Sequence, residues 1–295
     1  MLTEQLLGNL IQGLVLGSVY GMATMGLSMI FGVLQVVNVG HGAFMMIGAF
    51  TALIFFNVFG LNPIFAVPIA LCIGMALGFF FYYLVMQRLI KAPELASLLA
   101  TFAIGILLEE TVKLTFGSEF RGYNWVTGKL DLLITVLPLS KLYAALGSAG
   151  VAALLYIWYH KTRSGTAVRA VIEDSTGARV CGINVNGVYA LSFALGIGLT
   201  VASGVFLTMF IPVGINPYMG GGYTLKAFVI AVLGGLASPY GAFFGGLIFG
   251  LLENGSYTLF ASINGVEPFA LTRFFTFVIL LVILLIRPTG LFKGQ

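Results

Sequence analysis

Few side chains in this sequence could do chemistry, and they stand apart from one another. There are two histidines and two cysteines. His41 sits between Gly40 and Gly42 in the apolar stretch VVNVGHGAFMMIGAF, residues 36–50, and His160 lies in a different apolar run. A metal site needs three or four His, Cys, Asp or Glu ligands brought together, and the sequence holds no such cluster. Cys72 and Cys181 are far apart, so they suggest neither a disulfide framework nor a zinc site. A proton relay needs a chain of acids or histidines, which His41 lacks. The favoured reading is that neutral His41 and Asn38 hydrogen-bond backbone groups freed where a helix breaks. Contact with a path through the membrane is the alternative.

The acids are equally sparse. Glu109, Glu110 and Lys113 fall in LLEETVKLTF. Glu109 and Lys113 are four apart and are expected to pair on one helix face, snorkelling towards an interface. A proton-coupling carboxylate is the rival reading. Glu253 and Asn254 close another apolar run, and Lys226 opens a short one; it is expected to reach lipid headgroups, with contact to a carboxylate during passage as the alternative. The nearest approach to a phosphate-binding loop is GYNWVTGKL, residues 122–130. It has one residue too many before its second glycine, and Leu130 stands where a hydroxyl should hold magnesium. The chain is therefore not expected to be an enzyme or to bind a cofactor. Any ATP is hydrolysed by another polypeptide.

The elements that position these residues follow from composition. Of 295 residues, 59% are hydrophobic and 8% charged, and the mean hydropathy is +1.06. Soluble domains carry about 25% charged residues. The expected fold class is all-α, a polytopic helical membrane protein. The short alternating segments of a β-barrel do not occur. MLTEQLLGNL lacks a basic leader and carries Glu4, so the first apolar run reads as a retained span.

A span needs roughly 20 mostly apolar residues. Candidates are 6–34, 42–60, 63–86, 95–116, 139–160, 188–211, 239–260 and 269–287, with 222–237 a short span or a re-entrant segment. This gives eight or nine crossings, and ten if 6–34 is broken. Arg88 and Lys91 mark one loop; Lys161, Arg163, Arg169 and Arg179 mark a second; Arg287 and Lys293 mark the C-terminus. The positive-inside rule places all three in the cytoplasm. Loop 117–138, with balanced charges, and the uncharged loop 212–221 then lie outside. If 6–34 crosses once, the N-terminus is external.

Gly13, Gly17 and Gly21 repeat at four-residue spacing, as do Gly74 and Gly78, Gly241 and Gly245, and Gly246 and Gly250. Such faces let helix backbones approach closely in lipid. NVGHGAF and LGGLASPYGAFFGG are different. There, glycines cluster with Asn38, His41, Ser238 and Pro239 at the start of apolar runs. Helical geometry is expected to break at both places, and such breaks flank transport paths.

The polar segment 160–190 reads HKTRSGTAVRAVIEDSTGARVCGINVNGVYA. Ser164 or Thr166 is expected to cap a helix whose partial apolar face includes Val168, Val171, Ile172 and Ala178. Gly182 fits its end, with Ile183 just beyond. The segment suits a short amphipathic helix, packed on a cytoplasmic partner or on the membrane surface.

Four stretches carry a resemblance. They are GLVLGSVYGMATMGLSMIFGVLQVVNVGHGAFMMIGAF, RAVIEDSTGARVCGINVNGVYALSFALG, INPYMGGGYTLKAFVIAVLGGLASPYGAFFGGLIFGLLE and RPTGLF. Together they cover nearly the whole chain. The sequence resembles the permease subunits of ATP-binding-cassette importers for branched-chain amino acids, the LivH type. Asn38 to Gly42 fits that family's Asn-x-x-His-Gly stretch.

The resemblance implies one permease domain over 1–295, with a cytoplasmic coupling loop at 161–187 in a bacterial inner membrane. It implies a second permease subunit (a heterodimer or a homodimer), two cytoplasmic ATP-binding subunits and an extracytoplasmic substrate-binding protein. It places a coupling helix at 166–183, and the expected coupling residues are Arg169, Glu173, Asp174, Ala178, Arg179, Gly182 and Ile183. The expected path elements are Asn38, Gly40, His41, Gly42, Phe44, Gly234, Gly235, Ser238, Pro239 and Gly241. Urea, short amides and other small carboxylates stay open as substrates, and a proton-coupled secondary transporter stays open as a rival.

Overall fold

The structure, a computed structural model, describes residues 2–90, 92–125, 127–132, 135–211, 213–261, 267–287 and 290–292. It is helical almost throughout. The helices are α1 (Leu2–Leu34), α2 (His41–Phe59), α3 (Ala66–Phe81), α4 (Gln87–Leu89), α5 (Glu94–Phe116), α6 (Leu139–Lys161), α7 (Arg163–Glu173), α8 (Ser175–Val180), α9 (Val185–Thr208), α10 (Gly220–Gly234), α11 (Pro239–Ala261) and α12 (Pro268–Ile286). A π-helical turn, Tyr82–Met86, carries α3 into α4.

Among the described residues, six helical stretches are long and apolar enough to cross a membrane. The pair α10 and α11 passes that test only jointly and is bent by 113° at its break. The apolar part of α12, Pro268–Ile283, is shorter. The run 6–34 is one continuous helix, so the tenth crossing does not arise. The short segment 222–237 is the first arm of the bent pair, α10 with the break that follows it.

The glycine faces explain the core. Helices α1 and α11 run antiparallel with their backbones nearly touching. A Cβ on Gly17 would lie 2.6 Å from the Gly246 carbonyl oxygen, and one on Gly21 would lie 2.6 Å from that of Phe243. Gly74 would similarly strike Gly198 of α9 at 2.7 Å. Without a hydrophobic drive between helices in lipid, such close van der Waals contact is a main source of cohesion. The most buried helices are α1 and α9, whose apolar windows are 78% and 89% buried, against 22% for α6. The centre is thus the α1–α9–α11 cluster, with α3, α5 and α6 outside it.

The two ends of the bundle differ. Loop 117–138 contains an antiparallel hairpin, β1 (Lys129–Leu132) with β2 (Thr135–Pro138). Four-residue strands bearing Lys129 and Asp131 leave too little apolar alternation to be seen in sequence. Arg121 and Ile215 exchange two backbone hydrogen bonds, of 2.7 and 3.1 Å, tying this loop to the segment before α10. Tyr123 closes the same layer by a 2.5 Å contact with the Thr208 hydroxyl. Burial pushes its phenol up to about 12, so it stays protonated at neutral pH. The start of α1 reaches this end, with Asn9 donating to Thr258 at 2.8 Å. At the opposite end lie α7, α8, the α10–α11 break and residues 290–292.

Candidate translocation elements and coupling surface

The first break lies where the sequence places it, and its partners differ from those expected. Helix α1 ends at Leu34, Gln35 takes φ +55°, and α2 restarts at His41. The backbone freed between them is satisfied by two threonines. Thr101 Oγ1 accepts from Val39 N at 3.1 Å and donates to the Val37 carbonyl at 3.2 Å. Thr224 Oγ1 accepts from Gly42 N at 2.8 Å. Asn38 is 1% exposed, yet neither of its amide atoms has a hydrogen-bond partner among the described residues. His41 is fully buried between α1 and α9, with Nδ1 3.4 Å from the Thr200 hydroxyl. Asn38 and His41 therefore do not supply the backbone's hydrogen bonds. The hydroxyls do, because a threonine on a neighbouring helix reaches across the gap that the break opens.

The other predicted residues of this stretch divide between core and cleft. Phe44 is core, edge-on to Phe81 with ring centroids 6.0 Å apart. Gly42 lies against Gly220, where a Cβ would overlap the Gly220 carbonyl. Gly40 lines a cleft of ≈ 150 Å³ with Gly105, Glu109 and Thr224. The pairing expected of Glu109 is not formed; Lys113 bonds Glu110 instead, at 3.0 Å. Thr224→Val should leave Gly42 N–H unpaired in the interior. A loss of about 1–3 kcal/mol is expected, read as a lower unfolding midpoint of the purified protein by size-exclusion thermostability.

The second break spans 235–238. Gly235 takes φ +104°, a conformation that side chains resist. Ser238 Oγ accepts from Gly241 N at 3.1 Å and starts α11. Gly234 and Gly241 face each other so closely that a Cβ on either would meet the other's backbone. The chain's end closes the hinge: Leu291 N donates to the Leu233 carbonyl at 2.8 Å, and Gly290 at φ +82° lies against Gly235. Ser238 and Pro239 line a cavity of ≈ 480 Å³ with Tyr159, His160, Arg169 and Glu173. This hinge therefore adjoins the α6–α7 corner.

The expected single helix at 166–183 is two. Thr162, not Ser164 or Thr166, caps α7, accepting from Gly165 N at 3.1 Å. Asp174 ends α7 and caps α8, accepting from Thr176 N at 2.9 Å. An aspartate that takes extended backbone at this point splits the helix. Helix α8 closes with Ile183 N on the Ala178 carbonyl at 3.0 Å and Gly182 N on that of Arg179 at 3.1 Å, with Gly182 at φ +81°. That is a Schellman cap, which favours glycine there.

The burial of this elbow sorts the predicted coupling residues. Val168, Val171 and Ala178 are buried towards the bundle. Arg169 also turns inward, bonding the Tyr159 carbonyl and lying 5.4 Å over its ring. Ala178 is thus off the outer surface, while Arg169 and Ile183 are half-buried. Glu173, Asp174, Arg179 and Gly182 are exposed. Val180, which sequence reasoning missed, is 85% exposed at the elbow's tip.

A further group was misread from sequence. Lys226 does not point to headgroups. Its Nζ lies 2.7 Å from Glu253 Oε1 and 3.0 Å from the Tyr20 hydroxyl, and it sits 4.8 Å over the Tyr20 ring. The Lys226 and Glu253 side chains are only 24% and 20% exposed. Removing one partner of such a pair strands the other charge, at about 3–5 kcal/mol, whereas an apolar replacement of both is often neutral. Lys226→Met alone should markedly lower thermal stability and yield, and Lys226→Met with Glu253→Leu should recover most of the loss.

The comparisons with known proteins follow this geometry. Residues 9–285 match the family described as "Branched-chain amino acid transport system / permease component". The chain belongs to this family. Among its relatives, the LivH permease protein of a high-affinity branched-chain amino acid transport system in Salmonella typhimurium is 32% identical, over 97% of this chain and 94% of its own. The BraD permease protein of Pseudomonas aeruginosa is 29% identical, over 97% and 95%. A probable LivH permease of Methanocaldococcus jannaschii is 27% identical, over 90% and 86%. As a permease component, the chain has a transport role rather than a catalytic one. The fold presents two helix breaks and an exposed elbow. The threonines that hold the first break, and the Lys226–Glu253 pair, were not signalled by any local motif.

Proposed function

We propose that this chain is one permease subunit of an ATP-driven importer that moves branched-chain amino acids across a bacterial inner membrane. The observation that carries this reading is the family match over 9–285, with relatives named for that transport along nearly their whole length. The substrate named for those relatives is assigned here to this chain. A second permease subunit completes the path, two cytoplasmic ATP-binding subunits drive it, and an external binding protein delivers the substrate.

The orientation follows the basic residues. Helices α7 and α8 and the C-terminus face the cytoplasm, and the β1–β2 end and the N-terminus face outside. The exposed face Glu173–Gly182 docks in a groove on an ATPase. Movement of the elbow passes inward through Arg169, bonded to Tyr159. It then passes along the aromatic corner where His160 stacks on Tyr240 at 5.5 Å. Tyr240 belongs to the first turn of α11, beside the hinge. Rocking of α10 against α11 opens the path alternately to each side, with the 35–42 break as its counterpart on the other helices.

The test is purification from the native membrane in mild detergent. Co-purification of subunits carrying a phosphate-binding loop, and loss of that association on Val180→Asp, support the reading. Uptake of leucine by vesicles containing this chain without any ATPase overturns it.

A further inference from the structure

Charged and unpartnered polar groups gather around Lys226. A cleft of ≈ 390 Å³ opens between α1, α10, α11 and α12, within the range of small-molecule sites, about 300–1,000 Å³. Glu253 gives one carboxylate oxygen to Lys226, while its Oε2 is buried with no hydrogen-bond partner among the described residues. Arg273 lines the same cleft and makes no ion pair among the described residues. Thr272, 4% exposed, also lines it, and its hydroxyl has no partner among the described residues. Tyr257 and Phe269 supply an apolar wall, their rings 4.9 Å apart.

Charged groups at membrane depth are costly and mark functional sites. Here the cost is only half met by the internal pair. A free carboxylate oxygen and an unpaired guanidinium remain, beside an aromatic wall. The ligand complementary to all three carries an ammonium, a carboxylate and an apolar side chain.

We propose that this cleft is an intramembrane station for the zwitterionic head of an apolar α-amino acid. The ammonium is held by Glu253 Oε2 and the Thr272 hydroxyl, and the carboxylate by Arg273. Lys226 is a positioning residue: it holds Glu253 in place through Oε1 and leaves Oε2 to the ligand. A simple anion would be repelled by Glu253, and a simple amine by Arg273. The substrate class rests on the proposed importer function; the charge complementarity does not.

The test uses the whole complex in lipid nanodiscs, illuminated with photo-leucine and mapped by mass spectrometry. Adducts are expected on Tyr257 or Phe269. Excess leucine should abolish them, whereas 4-methylpentanoate and isopentylamine should not. Arg273→Gln, at an exposed position that keeps the fold, should cut labelling at least ten-fold. Glu253→Gln should do the same, and Arg273→Lys should restore part of it. ATP-driven leucine uptake is measured on the same preparation. Adducts without uptake sustain the site and sink the importer reading. Uptake without adducts in the cleft, or labelling unchanged in Arg273→Gln, sinks the site and leaves the importer reading standing.

Discussion

Valine in place of Gly42 is expected to abolish uptake and leave little folded protein in the membrane. Gly42 opens α2 at the point where α10 crosses it, and an added Cβ overlaps the Gly220 carbonyl and comes 2.6 Å from Thr224 Oγ1. The obstacle is backbone, which no rotamer change can clear, so α2 and α10 must separate. Separation also breaks the 2.8 Å bond from Gly42 N to Thr224. Overpacking costs about 1–3 kcal/mol and occasionally more, and the lost buried hydrogen bond adds about 1–3 kcal/mol. Against a total stability of about 5–15 kcal/mol, that is a large fraction. Gly42→Ala should fall between the wild type and valine. Gly222→Ala is the control: it lies in α10 too, but a Cβ there meets nothing within 4 Å. Membrane yield and unfolding midpoint measure all three. Equal behaviour of Gly42→Val and Gly222→Ala would remove close α2–α10 contact from the account.

The second large effect is expected at Gly182. Arginine there has room, since a Cβ at Gly182 meets nothing within 4 Å. It must nevertheless take φ +81°, at about 1–2 kcal/mol, and it adds a bulky cation to the exposed tip beside Arg179. The bundle should stay folded, because the tip contributes little to its core. Transport per ATP hydrolysed should fall at least ten-fold while hydrolysis continues. Gly182→Asn, which tolerates the left-handed conformation, should keep most of the transport. The ratio of leucine imported to phosphate released, in one reconstituted preparation, reads both. A normal ratio in Gly182→Arg would take the elbow tip out of the coupling surface.

Much of this architecture is legible in sequence, because lipid imposes long apolar runs and glycine faces on it. The runs at 42–60, 95–116, 139–160 and 188–211 correspond to α2, α5, α6 and α9 within a few residues. Both breaks are marked by glycines beside Asn38 and Ser238. What holds the first break is not legible. Thr101 and Thr224 are distant from it in sequence, and a threonine inside an apolar run carries no signal of its partner. Asn38 and His41 look like the polar candidates only because they are local. The Lys226–Glu253 pair escapes for a related reason. The two lie on separate helices folded back on each other at the 235–238 hinge, so no helix-face spacing relates them. Asp174, expected among the coupling residues, also accepts from Thr176 N, and that cap divides the 166–183 segment into two helices; a side chain's choice to cap rather than continue a helix carries little signal in sequence.

The most direct measurement is uptake of labelled leucine by proteoliposomes holding this chain with its partner permease and ATPases, the binding protein outside and ATP sealed within. The account predicts uptake that requires ATP and the binding protein, survives an uncoupler, and is not competed by urea. Uptake that persists without ATP and collapses with the uncoupler would contradict it.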